Sequence, residues 1–89
     1  MVVFVLPRSG SDSPNRIGVT ASRRVGGAVV RARCRRRIRE LFRLHPNELP
    51  DASVDLVVNA RRGCEKAPWA ELRQDYIRSV RRLRERLAL

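Results

Sequence analysis

Ala28–Leu44, AVVRARCRRRIRELFRL, superposes two patterns, and the rest of the chain can be read outward from them. Val30, Cys34, Ile38, Leu41 and Phe42 recur at three- and four-residue spacing, which places them on one stripe of an α-helix and marks that stripe as a core face. Seven arginines (Arg31, Arg33, Arg35, Arg36, Arg37, Arg39 and Arg43) fill other positions, with Glu40 as the only acid. At about 100° per residue, Arg31, Arg35, Arg36, Arg39 and Arg43 fall on the outer face, and Arg33 and Arg37 along the far edge of the stripe. So many like charges without i,i+4 acidic partners weaken an isolated helix, so this face is expected to meet an anion rather than water alone.

The whole chain repeats that bias. Its 89 residues carry a net charge of +11, and of its 20 basic residues all but Lys66 are arginine. A pI of about 11.7 points to a polyanionic partner, with nucleic acid ahead of a membrane surface. Arginine's planar fork suits phosphate, although genome base composition could favour arginine as well. The length suits a single domain, residues 1–89, with no internal repeat or linker. The apolar runs are only a few residues long, far short of the roughly 20 that span a bilayer, so no membrane partner is expected. The two cysteines differ in setting: Cys34 lies in the core stripe, Cys64 in a polar loop where it should react readily. With no signal peptide and no CxxC, neither a disulfide nor a metal site is expected, and the cytoplasm is the expected location.

Upstream of the helix, Met1–Leu6 reads as a strand ended by Pro7, and Arg8–Asn15, RSGSDSPN, as a turn or flexible loop. Arg16–Ser22 follows as a second strand, expected to form an antiparallel hairpin with the first. Alternation sets Ile17, Val19 and Ala21 on one face and Gly18, Thr20 and Ser22 on the other, small and polar enough to admit a ligand backbone. Arg23 and Arg24 stand where the chain turns into the helix, with Gly27 as its N-cap.

Downstream, Pro46–Ala52 ends the helix, and Ser53–Asn59 is a third strand with Val54, Leu56 and Val58 on one side. Arg61 and Arg62 leave it. Pro68 opens a last helix with the stripe Trp69, Leu72, Tyr76, Val80, Leu83 and Leu87, so both aromatics are expected to pack in the core. The order β-β-α-β-α implies an α/β (α+β sandwich) fold, a small sheet with helices on one face and the other face open. No catalytic or metal residue is assigned: His45 stands alone before Pro46, and Glu40 and Asp55 have no paired carboxylate.

Arg16-Ile17-Gly18-Val19-Thr20-Ala21-Ser22-Arg23-Arg24-Val25-Gly26-Gly27-Ala28-Val29-Val30-Arg31-Ala32-Arg33, continuing through Cys34-Arg35-Arg36-Arg37-Ile38-Arg39-Glu40-Leu41-Phe42, resembles the protein component of bacterial ribonuclease P. The likeness extends more weakly from Phe4 to about Leu83. It implies a left-handed β-α-β crossover through the central helix. It also implies an endonuclease subunit, in the hydrolase class, that binds the ribonuclease P RNA and the 5′ leader of precursor tRNA. Cleavage in such a ribonucleoprotein belongs to the RNA with its Mg2+, and no cofactor is expected on protein side chains. Onto this pattern fall the candidate RNA-binding residues Arg23, Arg24, Arg31, Arg33, Arg35, Arg36, Arg39 and Arg61, and the leader-cleft candidates Phe4, Gly18, Thr20 and Ser22. Three departures stand out. Ala32 and Gly27 occupy positions where the family has Asn, and the chain starts at the first strand where the family has a preceding basic segment and helix. The expectation is thus an N-terminally shortened domain with part of its sheet uncovered.

Two other classes fit the charge. A structural ribosomal-type protein would bind RNA without any processing activity. A DNA-binding module would place the helix in a major groove, but that calls for Asn or Gln at base edges, and the helix has neither; no DNA partner is expected.

Overall fold

The computed structural model describes residues 1–7, 15–49 and 54–87. Three strands and two long helices are present: β1 (Val2–Pro7), β2 (Arg16–Thr20), α1 (Ala28–Leu44), β3 (Val54–Asn59) and α2 (Trp69–Leu87), with a short 3-10 turn at Pro46–Glu48. The expected loop at Arg8–Asn15 lies, except for Asn15, outside the described residues, as do Pro50–Ser53 and the side chain of Leu87.

The sheet order is β1-β3-β2, with β1 antiparallel and β2 parallel to β3. This corrects the hairpin expectation. β1 and β2 do run in opposite directions, as the turn residues between them suggest, but β3 lies between them. The physical reason is burial: Val54, Leu56 and Val58 are 2%, 0% and 0% exposed, so β3 gains most from the centre, where both of its edges are paired. β2, α1 and β3 form a crossover between adjacent parallel strands.

Both helices pack on one side of the sheet, α1 against β2 and α2 against β1. The core joins Cys34, Ile38 and Leu41 of α1, Leu72, Tyr76 and Val80 of α2, and Val19, Leu56 and Val58 of the sheet. The expected alternation in β2 and β3 holds, with Val19 and Ala21 buried and Gly18, Thr20 and Ser22 exposed. Gly27 is the N-cap of α1 without a side-chain cap, and the chain reaches it through Gly26 at φ +154, where an added Cβ would lie 2.7 Å from Val30. A larger residue there would push the turn away from the helix it feeds.

Two expectations about single residues fail. Cys64 is 5% exposed and disulfide-bonded to Cys34, with the Cα atoms 5.8 Å apart. The turn after β3 folds Cys64 back onto α1, a long-range placement that its polar sequence neighbours do not reveal. Trp69 is 38% exposed and outside the core; its ring lies 5.8 Å beneath the Arg37 guanidinium, so this aromatic packs against a charged side chain of α1 instead.

Candidate nucleic-acid interface

Because β2 and β3 are parallel, their carboxyl ends meet at one end of the sheet, and the Ala60 amide donates to the Thr20 carbonyl at 2.8 Å to close it. From this end leave the Arg23–Val25 turn, which is pinned by the Val25 amide on Ser22 O at 3.0 Å, and the exposed pair Arg61–Arg62. A cleft of about 490 Å3 opens here, lined by Val19, Thr20, Ala21, Ser22, Arg35, Asn59 and Ala60. Thr20 Oγ1 donates to the Asn59 side-chain carbonyl, holding the floor of the cleft in place. The outer ends of parallel strands, at the point where the chain crosses over, are where open sheets commonly hold ligands.

The arginines of α1 divide into groups that helical periodicity alone does not separate. Arg33, Arg36 and Arg39 are exposed. Arg31 and Arg35, expected on the outer face, are half-buried; Arg35 lines the cleft, and Arg31 Nε is buried without a hydrogen-bond partner among the described residues. Arg37, on the opposite flank, donates to the carbonyls of Cys64 and Ala67 and covers Trp69, so it joins α1 to the turn before α2. Arg43 is paired with Glu40, whose carboxyl it holds below the usual range. Among the described residues, Arg23, Arg24, Arg31, Arg33, Arg35, Arg36, Arg39 and Arg61 have no ion pair, and so their charge is available to an incoming anion.

The outer face of the sheet continues from the cleft in three transverse rows. Nearest the cleft are Val2, Asn59 and Thr20; then Phe4, Val57 and Gly18; then Leu6, Asp55 and Arg16. Val2, Phe4 and Leu6 are 47%, 51% and 56% exposed, and nothing lies within 4 Å of a Cβ built on Gly18. The face therefore offers an apolar, aromatic-bearing edge beside a flat strip of backbone. Its far end is neutralised by Arg16, whose Nε and Nη2 both reach Asp55 at 2.9 Å. The structure thus gathers Thr20, Ser22, Arg23, Arg24, Arg35 and Arg61 at one end, and places Phe4 and Gly18 in one row across the adjoining face. Asn59 and Val57, which alternation puts on the same face of β3 as Asp55, and Arg62, which leaves the strand beside Arg61, belong to the same surface although none was among the candidate site residues.

Cys34, Cys64 and Glu65 bring three possible ligand atoms within 4.8 Å of one another, but sulfurs bonded to each other offer no thiolate to a cation.

Comparison with known proteins gives the family. The family model for Ribonuclease P matches residues 1–84. The ribonuclease P protein component of Gluconacetobacter diazotrophicus is 44% identical over 82 residues, covering 92% of this chain and 70% of that protein. Its counterpart from Kocuria rhizophila is 41% identical over 78 residues, covering 88% and 68%. Among solved structures, the ribonuclease P protein of Thermotoga maritima superposes with a TM-score of 0.76 at 26% identity, over 90% of this chain and 74% of that one. Sequence and overall fold agree, and the chain belongs to the ribonuclease P protein component family.

Proposed function

We propose that this protein holds the ribonuclease P RNA through the arginines at the open end of the β2–β3 pair and lays the 5′ leader of precursor tRNA across the outer face of the sheet. The observation that carries the reading is the continuity of two surfaces. Arg35 lines the cleft with Thr20, Ser22 and Asn59, and the exposed Arg23, Arg24 and Arg61 leave the same sheet end. None of the four has an ion pair among the described residues, and an uncovered sheet face leads away from the cleft. Guanidiniums grip phosphates, and Phe4 and the open strip over Gly18 give successive bases a surface on which to stack.

Removal of the leader is assigned to the RNA subunit with its Mg2+. The residues that line the cleft supply hydrogen bonds and positive charge, which bind and orient a phosphodiester; none of them is a base suited to activating water. The protein would then act in the cytoplasm by raising the RNA's affinity for its substrate and by screening phosphate repulsion.

The test is reconstitution with a bacterial ribonuclease P RNA at a magnesium concentration too low for the RNA alone. Cleavage of precursor tRNA should be restored by the protein, and RNA-free protein should cleave nothing. Restoration should weaken as the leader is shortened. RNA binding without any rescue of cleavage would overturn the reading in favour of a purely structural RNA-binding role.

A further inference from the structure

The chain's two cysteines lie 30 positions apart, yet they meet between the helix that bears the phosphate-facing arginines and the turn that begins with Arg61 and Arg62. We propose that the Cys34–Cys64 bond is a reversible thiol–disulfide site: oxidised, it locks that turn onto α1 and tightens the grip on RNA; reduced, it loosens the turn. The proposal rests on the RNA-binding reading above and on its cytoplasmic setting, since disulfides in reducing compartments are commonly transient and redox-sensing.

The surroundings fit a switch better than a fixed staple. The turn retains its own hydrogen bonds, Cys64 N to Arg61 O at 3.2 Å and Ala67 N to Gly63 O at 3.0 Å. Arg37 grips it separately through the Cys64 and Ala67 carbonyls. Breaking the sulfur bond therefore loosens the turn without detaching it. Gly63, at φ +90 with open space around it, gives the backbone freedom to move.

Cys34 is wholly buried, whereas Cys64 is 5% exposed beside the exposed Arg61–Gly63 and lines a cleft, so Cys64 is the more accessible of the two. The cleft that Cys64 lines, of about 240 Å3, is bordered by Arg61 and Arg62 as well as by Glu71 and Asp75, and gives a small thiolate a path to that residue. The chemistry balances with a small dithiol as reductant. One of its thiolates attacks Cys64 Sγ, the Cys34–Cys64 bond breaks, and Cys34 leaves as a thiolate that takes a proton. The second thiol of the reductant then displaces Cys64, which is protonated in turn. Two electrons and two protons have passed to the protein, and the reductant is left as its own disulfide. A low-molecular-weight disulfide drives the reverse sequence. In the reduced state Glu65 Oε2, 3.8 Å from Cys34 Sγ, can accept the thiol proton's hydrogen bond.

The experiment equilibrates the full chain in reduced and oxidised glutathione at graded ratios, traps free thiols by alkylation and weighs the products. Affinity for a bacterial ribonuclease P RNA is measured at both extremes. The pair should convert between an intramolecular disulfide and a dithiol, with the oxidised form binding about fivefold to tenfold tighter, as expected when one or two side chains are ordered before contact. Cys34→Val/Cys64→Ser should match the reduced form and ignore the buffer. Cys64→Ser alone, checked by thermal unfolding, serves if the double variant does not fold. Absence of an intramolecular disulfide at every ratio would overturn the proposal, and so would equal affinity in the two states. If neither state bound the RNA, the binding reading would fail together with the coupling, while trapping would still report on the bond itself.

Discussion

Arg35 and Arg37 are separated by one residue of α1 and face opposite flanks with opposite outcomes. Arg35 lines the cleft at the sheet end and has no ion pair among the described residues; Arg37 is bound by two backbone carbonyls and covers an aromatic ring. The residue type is the same, so the difference comes from the neighbouring backbone. Where a turn presents carbonyls to a guanidinium, the arginine becomes part of the scaffold. Where strands end and leave side-chain hydroxyls and amides, its charge remains for a phosphate.

The largest test of that contrast is on the scaffold flank. Reducing Cys34–Cys64 removes a cross-link over 30 positions, which should lower unfolding stability by about 3–4 kcal/mol. An unchanged thermal midpoint on reduction would show that this flank is not held as described. On the sheet-end flank and outer face, Arg31, Arg35 and Arg39 changed together to Gln should weaken RNA binding by on the order of 100-fold at low salt. The slope of log affinity against log salt should become shallower by roughly 0.7 to 0.9 for each phosphate that is no longer neutralised. Equal slopes for wild type and variant would refute phosphate binding there. Arg37→Gln should do the reverse, costing about 2 kcal/mol of stability from two charge-assisted hydrogen bonds and leaving the salt slope unaltered. A salt slope reduced as much as by Arg35→Gln would erase the distinction between the flanks.

How much of this could be read from the amino acids follows the range of the interactions. Cys34, Ile38 and Leu41 disclose the buried side of α1 because a helix returns to the same face every three or four residues, and Val54, Leu56 and Val58 do the same for a strand. The sheet order could not be read locally: the turn chemistry before Arg16 reports a reversal of direction, not which strand fills the gap. Nor could the roles of Cys64 and Arg37 be read, since both depend on how the turn after Asn59 folds back on α1. Strand alternation puts Thr20 and Ser22 on one face, but that Arg35, expected on the outer face of α1, lines a cleft with them depends on the parallel pairing of β2 with β3 beside the helix. The resemblance supplied the class of partner; patterning alone stopped at a polyanion.

Two smaller effects sharpen the picture of the core beneath. Tyr76 is fully buried and its hydroxyl has no partner among the described residues, and burial raises its pKa above the ordinary phenol value. Tyr76→Phe should therefore raise stability by about 1 kcal/mol, which denaturant titration would resolve; a loss of similar size would reveal a hydrogen bond to that oxygen. Glu48, paired with Arg81 at 2.7 Å, has its carboxyl held below the usual range, chiefly by that hydrogen bond. Its contribution is present above the ordinary carboxylate pKa of about 4.3 and is lost as pH falls through the lower folded value. Glu48→Gln should thus lower the thermal midpoint slightly at pH 7 and not at pH 2, and a deficit of equal size at both would assign the effect to packing.

The two ends of the outer sheet face are electrically unlike. Guanidiniums without an ion pair among the described residues stand at the carboxyl end of β2 and β3, while at the opposite end Arg16 and Asp55 neutralise each other. On the proposed reading, a diffusing strand would be drawn to the charged end before touching Phe4 or the backbone over Gly18, so encounter and retention would be governed by different parts of the surface. The association rate should carry most of the salt dependence, and the residence time should follow the apolar row at Phe4, Val57 and Gly18. On that reading the face would be kinetically polar, capturing at one end and retaining along its length.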